Sequence, residues 1–360
     1  VRAVALLRVV SYHALGLPYA MTWFSAMPLM FFIAGYFMEA SLRREAPATC
    51  IRRRWVRVLV PLAPYAVTIL VVFAVAGLWS RLTPADALSY FVPLLSFPGP
   101  SGPVPVDAGV GWTYMGLWYL QNYMLFVLVS PLLRIALRRA PRMTAGVLAV
   151  LWASMVCFGV ADRFATYLAA WTFGMAVCMW PSISTHRSRW SAVCVAGLVT
   201  GSTVFLTLTA EDPDATQQRW GVLSVLLLGT AWIAGSLAFR PQLDAFANRR
   251  EVLPVVSWLN SRAVSVYLWH FPAYGIGAAV AHGLLGAGWD VEHAVVSFVV
   301  AIPATFLLAT AFGWLEDVAA RRPPVLIPTP ERAGRRRARS GAGGSATGTT
   351  TASSRSNVSS

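Results

Sequence analysis

The chain has 360 residues, of which 57% are hydrophobic and only 12% charged, with a formal net charge of +14. Apolar runs near twenty residues recur along its whole length, matching a hydrocarbon core of roughly 30 Å at about 1.5 Å per residue, which excludes a soluble two-domain protein. All 29 basic residues are Arg, and most lie between apolar runs or in the C-terminal tail, so the charge reads as membrane topology and not as a nucleic-acid surface.

In chain order, spanning helices are predicted at about 3–20, 22–42, 56–79, 117–138, 144–160, 164–180, 191–210, 221–239, 263–284 and 294–315. Together they make an all-α polytopic membrane bundle of about ten transmembrane helices, occupying residues 1–320. Placing the 43–57 segment inside puts Arg43, Arg44, Arg52, Arg53, Arg54 and Arg57 in the cytoplasm. Alternate loops then add Arg134, Arg138, Arg139, Arg142, Arg187, Arg189, Arg240, Arg249, Arg250 and Arg262. The opposite side receives only Arg81, Arg163 and Arg219, so both termini are predicted to be cytoplasmic, in a multi-pass protein of an inner (plasma) membrane. The first apolar run leads directly into a second and lacks a small-residue cleavage pattern, so no cleavable signal is expected.

Two stretches differ in composition. The outer segment at about 80–116, with its Pro and Gly cluster FPGPSGPVPVDAGVG, is predicted as a long loop. Residues 321–360, which run from PPVLIPTP into AGRRRARSGAGG and a Ser/Thr tract, are predicted to be a disordered basic cytoplasmic tail resting on anionic lipid. The four cysteines, Cys50, Cys157, Cys178 and Cys194, have neither paired nor metal-ligand spacing and read as small apolar packing residues.

Ionisable groups inside apolar helices carry the functional signal, because each is costly there. Arg2 and His13 are eleven residues apart, three helical turns plus roughly 20°, so they share one face about 16 Å apart along the axis. That geometry suits a donor with a polyanionic head and a reactive group at the end of a long arm, such as acyl-CoA, with Arg2 on phosphate and His13 as a buried base. The other reading of His13 is a helix-packing residue bonded to neighbouring backbone. His270 lies eight residues past Arg262, about 12 Å deep and comparable with His13, and Tyr267 precedes it by one turn on the same side. This pair either joins the site, with Tyr267 donating to an oxyanion, or bridges two helices. Trp118, Tyr119, Gln121 and Asn122 open the fourth span at its outer end, where aromatics usually form an interfacial belt. His186, His282 and His293 fall in loops or near span ends.

Several blocks resemble the bacterial acyltransferase family 3 of membrane O-acyltransferases. RAVALLRVVSYH is similar to its opening Arg and His separated by ten residues, and MPLMFFIAGYF at Met27 to Phe37 to its second-helix signature. CIRRRWVRVLVP resembles its Arg-x-x-Arg block at the third helix, matching Arg54 and Arg57. GLWYLQNYMLFVLVSPLL and SVYLWHFP resemble two later helices. The blocks keep the family's order over residues 2 to 272. The resemblance implies a ten-helix core, an acyl-CoA co-substrate with no bound cofactor and no metal, and a hydroxylated acceptor such as a glycan, lipid or small metabolite. It places catalysis on His13 and donor binding on Arg2, Arg54 and Arg57. Two departures are Ala34, where the family usually has Ser before Gly35, and the additional Arg8, which must face another helix, a water cavity or a carboxylate such as Glu39.

Arg54 and Arg57 are neighbours on one helix face at the inner boundary, where they could hold phosphates; the positive-inside rule alone would also place Arg there. Neither a GxSxG elbow nor a P-loop is present, so nucleophilic-Ser and nucleotide-driven chemistry find no support. The competing functional classes are a ten-span secondary transporter or exporter, which would more naturally show internal repeats, and a membrane scaffold with a degenerate acyltransferase fold.

Overall fold

The computed structural model describes residues 1–15, 24–95, 116–157, 164–211, 216–286, 288 and 290–328. Among these residues the regular structure is helical, without strands: α1 Arg2–Leu15, α2 Ala26–Leu42, α3 Pro47–Val75, α4 Pro84–Phe91, α5 Leu117–Arg139, α6 Pro141–Cys157, α7 Phe164–Met179, α8 Arg187–Glu211, α9 Thr216–Ala238, α10 Arg240–Ala247, α11 Leu253–Ser261, α12 Ala263–Leu285 and α13 Val291–Ala319. Each segment expected to span overlaps one of these helices. By length and composition α3, α5 and α13 are able to cross a bilayer, and α9 with α10, bent by 74°, would make a fourth span. The apolar helices α2 and α7 are shorter, at 17 and 16 residues. Large apolar side chains such as Val75, Leu132, Val147, Val199 and Leu307 face outward on these helices. Helices apolar on both inner and outer faces are those of a membrane protein.

Local chemistry sets the helix boundaries. Pro47 at the first turn of α3 starts that helix earlier than the expected span at 56, because proline's fixed φ suits a position whose N–H has no partner. Arg52 and Arg53 therefore ride on the same helix as Arg54 and Arg57. Part of the expected outer loop is also helical: Thr83 and Asp86 form a capping box that opens α4. The remainder, 96–115, lies outside the described residues. Asp290 caps α13 by accepting the His293 N–H, and hydrogen bonds from the His293 backbone and ring hold the Asp290 carboxyl below its usual range. Prolines inside α3, α5, α12 and α13 are the kind that spanning helices tolerate.

Three helix pairs pack most extensively: α12 with α13, α8 with α9, and α2 with α7, while α1 packs among α2, α12 and α13. The α2–α7 seam depends on two glycines facing opposite backbones, Gly35 against the Trp171 carbonyl and Gly174 against the Phe32 carbonyl. Small residues that let backbones approach are the usual contact between helices in lipid, where there is no hydrophobic gain to drive association.

Several buried polar groups differ from the sequence expectation. Glu39, with no exposure, pairs with Arg43 at 3.2 Å and Arg134 at 3.3 Å, so it is not the partner of Arg8. The Arg8 guanidinium lies 4.7 Å over the Tyr12 ring. Arg262, expected as a loop residue of the positive side, is fully buried and paired with Asp317 at 2.8 Å. Residues just beyond Ala320, expected to belong to the tail, are held to the bundle, since Asp317 accepts the Val325 N–H at 3.3 Å and Arg262 donates to the Val325 carbonyl. Cys50 and Cys178 are buried and Cys194 partly so; all three are free thiols.

Substituting Gly174 by Val should force the α2–α7 seam apart, at a cost of about 1–3 kcal/mol for overpacking. Thermal unfolding in detergent should fall by several degrees for Gly174→Val and stay near wild type for Gly146→Ala, whose added Cβ meets nothing. Equal behaviour of the two variants would show that the seam is not tight.

Candidate active site

At the end of the bundle where α1 begins and α13 finishes, a cavity of about 430 Å³ opens between helices. Four arginines line it, Arg2, Arg54, Arg57 and Arg322, against two carboxylates, Glu316 and Asp317. Glu316 accepts the Ser265 backbone N–H at 2.8 Å, and the charge of Asp317 is already balanced by Arg262. The field inside is therefore cationic. Its deeper wall is apolar and aromatic, with Met30, Ala34, Tyr119, Tyr123 and Tyr267. Ala34 occupies the position where the resembling family has Ser, so this wall lacks that hydroxyl.

The arginines are not equivalent. Because α3 begins at Pro47, Arg54 and Arg57 fall on consecutive turns and share a face. Arg54 is held by the protein itself: its guanidinium donates to the Phe37 carbonyl at 2.6 Å, to Ser41 Oγ at 2.9 Å and to Tyr123 Oη at 3.3 Å. It ties α3 to α2 and α5 while still presenting an edge to the cavity. The guanidinium groups of Arg2, Arg57 and Arg322 make no hydrogen bond or ion pair among the described residues and face the cavity. Arg52 and Arg53 lie outside the lining, and Arg53 pairs with Glu45.

Beyond the cavity's aromatic wall the structure brings the two intramembrane histidines together. The His13 and His270 rings are 5.3 Å apart, with Phe271 4.8 Å from His13 and Tyr12 5.0 Å from it. His270 Nδ1 contacts the Tyr267 carbonyl, which can only accept, so the proton sits on Nδ1. The His270 Nε2 lone pair is then buried and without a partner among the described residues. Neither histidine lines the cavity. Tyr267 stands between the two regions, its ring 4.8 Å from Tyr119 on the cavity side and 5.5 Å from His270 on the other.

Of the two readings of Tyr267 the geometry matches the bridge between helices, and the expectation for Tyr119 is corrected. The Tyr267 hydroxyl donates to the Gly116 carbonyl at 2.8 Å, tying α12 to the start of α5. Tyr119, expected in an interfacial belt, is buried and packs 5.0 Å from Phe31. Asn122 donates to the Trp118 carbonyl one turn earlier, a helix-surface bond with no reach into the cavity. Sequence reasoning passes over Glu316, Asp317 and Arg322, and offers Glu39 only as a partner for Arg8. A carboxylate inside an apolar helix is the signal that points to Glu316. Among the described residues no group of His, Cys, Asp and Glu is arranged to hold a metal ion.

A family model described as an acyltransferase domain, that of acyltransferase family 3, matches residues 1–314. No curated protein and no solved structure gives a significant match.

The contrast between Arg54 and Arg57 is measurable as stability. Hydrogen bonds to a charged group contribute about 1.5–3 kcal/mol each, so Arg54→Ala should lower the unfolding temperature in detergent by several degrees. Arg57→Ala, whose guanidinium makes no hydrogen bond or ion pair among the described residues, should leave it within about a degree. A cavity in which both variants unfold alike would contradict the hydrogen-bond assignment of Arg54.

Proposed function

Because the chain belongs to acyltransferase family 3, we propose that this acyltransferase is a ten-span protein of the inner membrane, with both termini cytoplasmic, and that it moves an acyl group from acyl-CoA to a hydroxyl of a glycan, lipid or small metabolite. The observation that carries the reading is the placement of the cation-lined cavity one aromatic layer away from the pair formed by half-buried His13 and buried His270. A polyanionic head with a long neutral arm fits that division. Phosphates sit among Arg2, Arg57 and the exposed edge of Arg54, and the arm extends past Tyr119 and Tyr267 toward His13.

His13 acts as the general base. His270 packs beside His13, the two rings 5.3 Å apart, and so limits how the His13 ring can turn. His13 removes the acceptor's hydroxyl proton, and the oxygen attacks the thioester carbonyl. The tetrahedral intermediate collapses with cleavage of the carbon–sulfur bond, and the departing thiolate takes the proton back from His13. Acyl-CoA and alcohol become ester and CoA thiol, with no metal or redox partner in the balance. His270 is a positioning residue in this scheme, and Tyr267 shapes the passage.

The base is tested by His13→Gln. It should keep insertion and donor affinity and lose at least about 10²-fold in single-turnover transfer from labelled acyl-CoA, normalised to monodisperse protein. Near-normal turnover would move the base elsewhere, with His270 next. The donor site is tested separately by isothermal titration with acyl-CoA. Arg57→Ala should weaken binding about tenfold or more and Arg52→Ala less than about twofold, since only Arg57 faces the cavity. Equal losses would indicate general positive charge instead.

A further inference from the structure

We infer that the segment following α13 is a strap that completes the cavity mouth and supplies Arg322 as a further ligand for a phosphate ester, the proposed donor's phosphate. The inference rests on the donor reading above and extends it beyond the part of the chain that the family shares, since the family match ends at residue 314.

The strap is built, and its parts are visible in the geometry. Arg321 adopts a left-handed backbone, φ 53°, which reverses the chain at the end of α13. The Arg322 N–H then donates to the Asp317 carbonyl at 2.7 Å, and the Asp317 carboxylate accepts the Val325 N–H at 3.3 Å. Arg262, fully buried, clamps both ends by donating to Asp317 Oδ2 at 2.8 Å and to the Val325 carbonyl. Its side chain passes over Gly313, where any larger residue would collide with it. Pro323 and Pro324 stiffen the short span between the two anchor points.

This construction orients one side chain. Arg322 lines the cavity beside Arg57 and near enough to repel it electrostatically, while its neighbour Arg321 does not line the cavity. Two guanidinium groups held at one mouth, with no carboxylate paired to either among the described residues, are arranged for an anion with several oxygens. Phosphate could reach them from the donor or from an anionic lipid headgroup. The cavity's continuity with Arg2 and Arg54, which line it from α1 and α3, favours the donor.

The experiment is titration of the full chain, in nanodiscs of zwitterionic lipid, with acyl-CoA, with inorganic pyrophosphate and with an acyl-pantetheine that lacks phosphate. Arg322→Gln should weaken acyl-CoA binding about tenfold, weaken pyrophosphate likewise and leave acyl-pantetheine unchanged; Arg321→Gln should change none of the three more than about twofold. Arg322→Lys should recover part of the loss. If acyl-CoA binding depends on Arg57 but not on Arg322, the strap inference is overturned and the donor reading survives. If pyrophosphate binding depends on Arg322 while acyl-CoA does not bind, the anion site stands and the donor reading falls. An Arg322 effect that appears only when anionic lipid is added to the nanodisc assigns the residue to the bilayer and overturns the inference.

Discussion

The carboxylate of Glu39 sits with no exposure on a helix that is otherwise apolar on all sides, and the arrangement of the rest follows from satisfying it. Its partners Arg43 and Arg134 come from the end of α2 and from α5. Each also donates to a carbonyl, Arg43 to Cys178 on α7 and Arg134 to Leu42 on α2. Removing one partner from a buried ion pair typically costs about 3–5 kcal/mol; the half-exposed Arg43 deserves less than that and the more buried Arg134 most of it. The register of α2 against α5 and α7 is therefore set by charge as well as by the Gly35 and Gly174 contacts. With α2 fixed, the Phe37 carbonyl and Ser41 hydroxyl stand where Arg54 can reach them, and Arg54 in turn fixes how α3 presents Arg57 to the cavity. A structural ion cluster thus positions the cation site without contributing to it.

Much of this is legible in the sequence. Helix positions follow from apolar runs, and depth arithmetic along α1 and α12 was enough to match His13 with His270, because rise per residue is a local property that neighbours barely alter. Arg2, Arg54 and Arg57 at one end follow from the same arithmetic. What could not be read were pairings across sequence distance. The positive-inside rule treats Arg262 and Arg52 alike, yet one is buried under Gly313 and the other faces away from the cavity. Tyr267 shares a helix face with His270, as its spacing requires, but its hydroxyl is taken by Gly116, 151 residues away. The start of α3 lies ahead of the apolar run because Pro47 supplies a helix start before the Arg-rich stretch, which by composition alone resembles a loop.

The separation of the cavity from the histidines by one aromatic layer carries its own physical argument. A guanidinium cluster needs water or anions, whereas an imidazole shielded from water stays in the neutral form whose lone pair can take a proton from a hydroxyl. Both conditions cannot hold in one open cavity. Tyr119 and Tyr267 provide the boundary: each is buried, and Tyr267 is anchored through Gly116, a residue whose missing side chain leaves room for the Phe271 ring. Phe271 then packs against His13, so the anchor of the boundary and the wall of the histidine pocket belong to one contact set. Any movement of Tyr267 that lengthens the passage also breaks its bond to Gly116 and disturbs the packing around His13. In the proposed reaction, arrival of the donor's arm at the boundary and opening of the histidine pocket are consequently the same event, which ties exposure of the base to the presence of the molecule on which it acts.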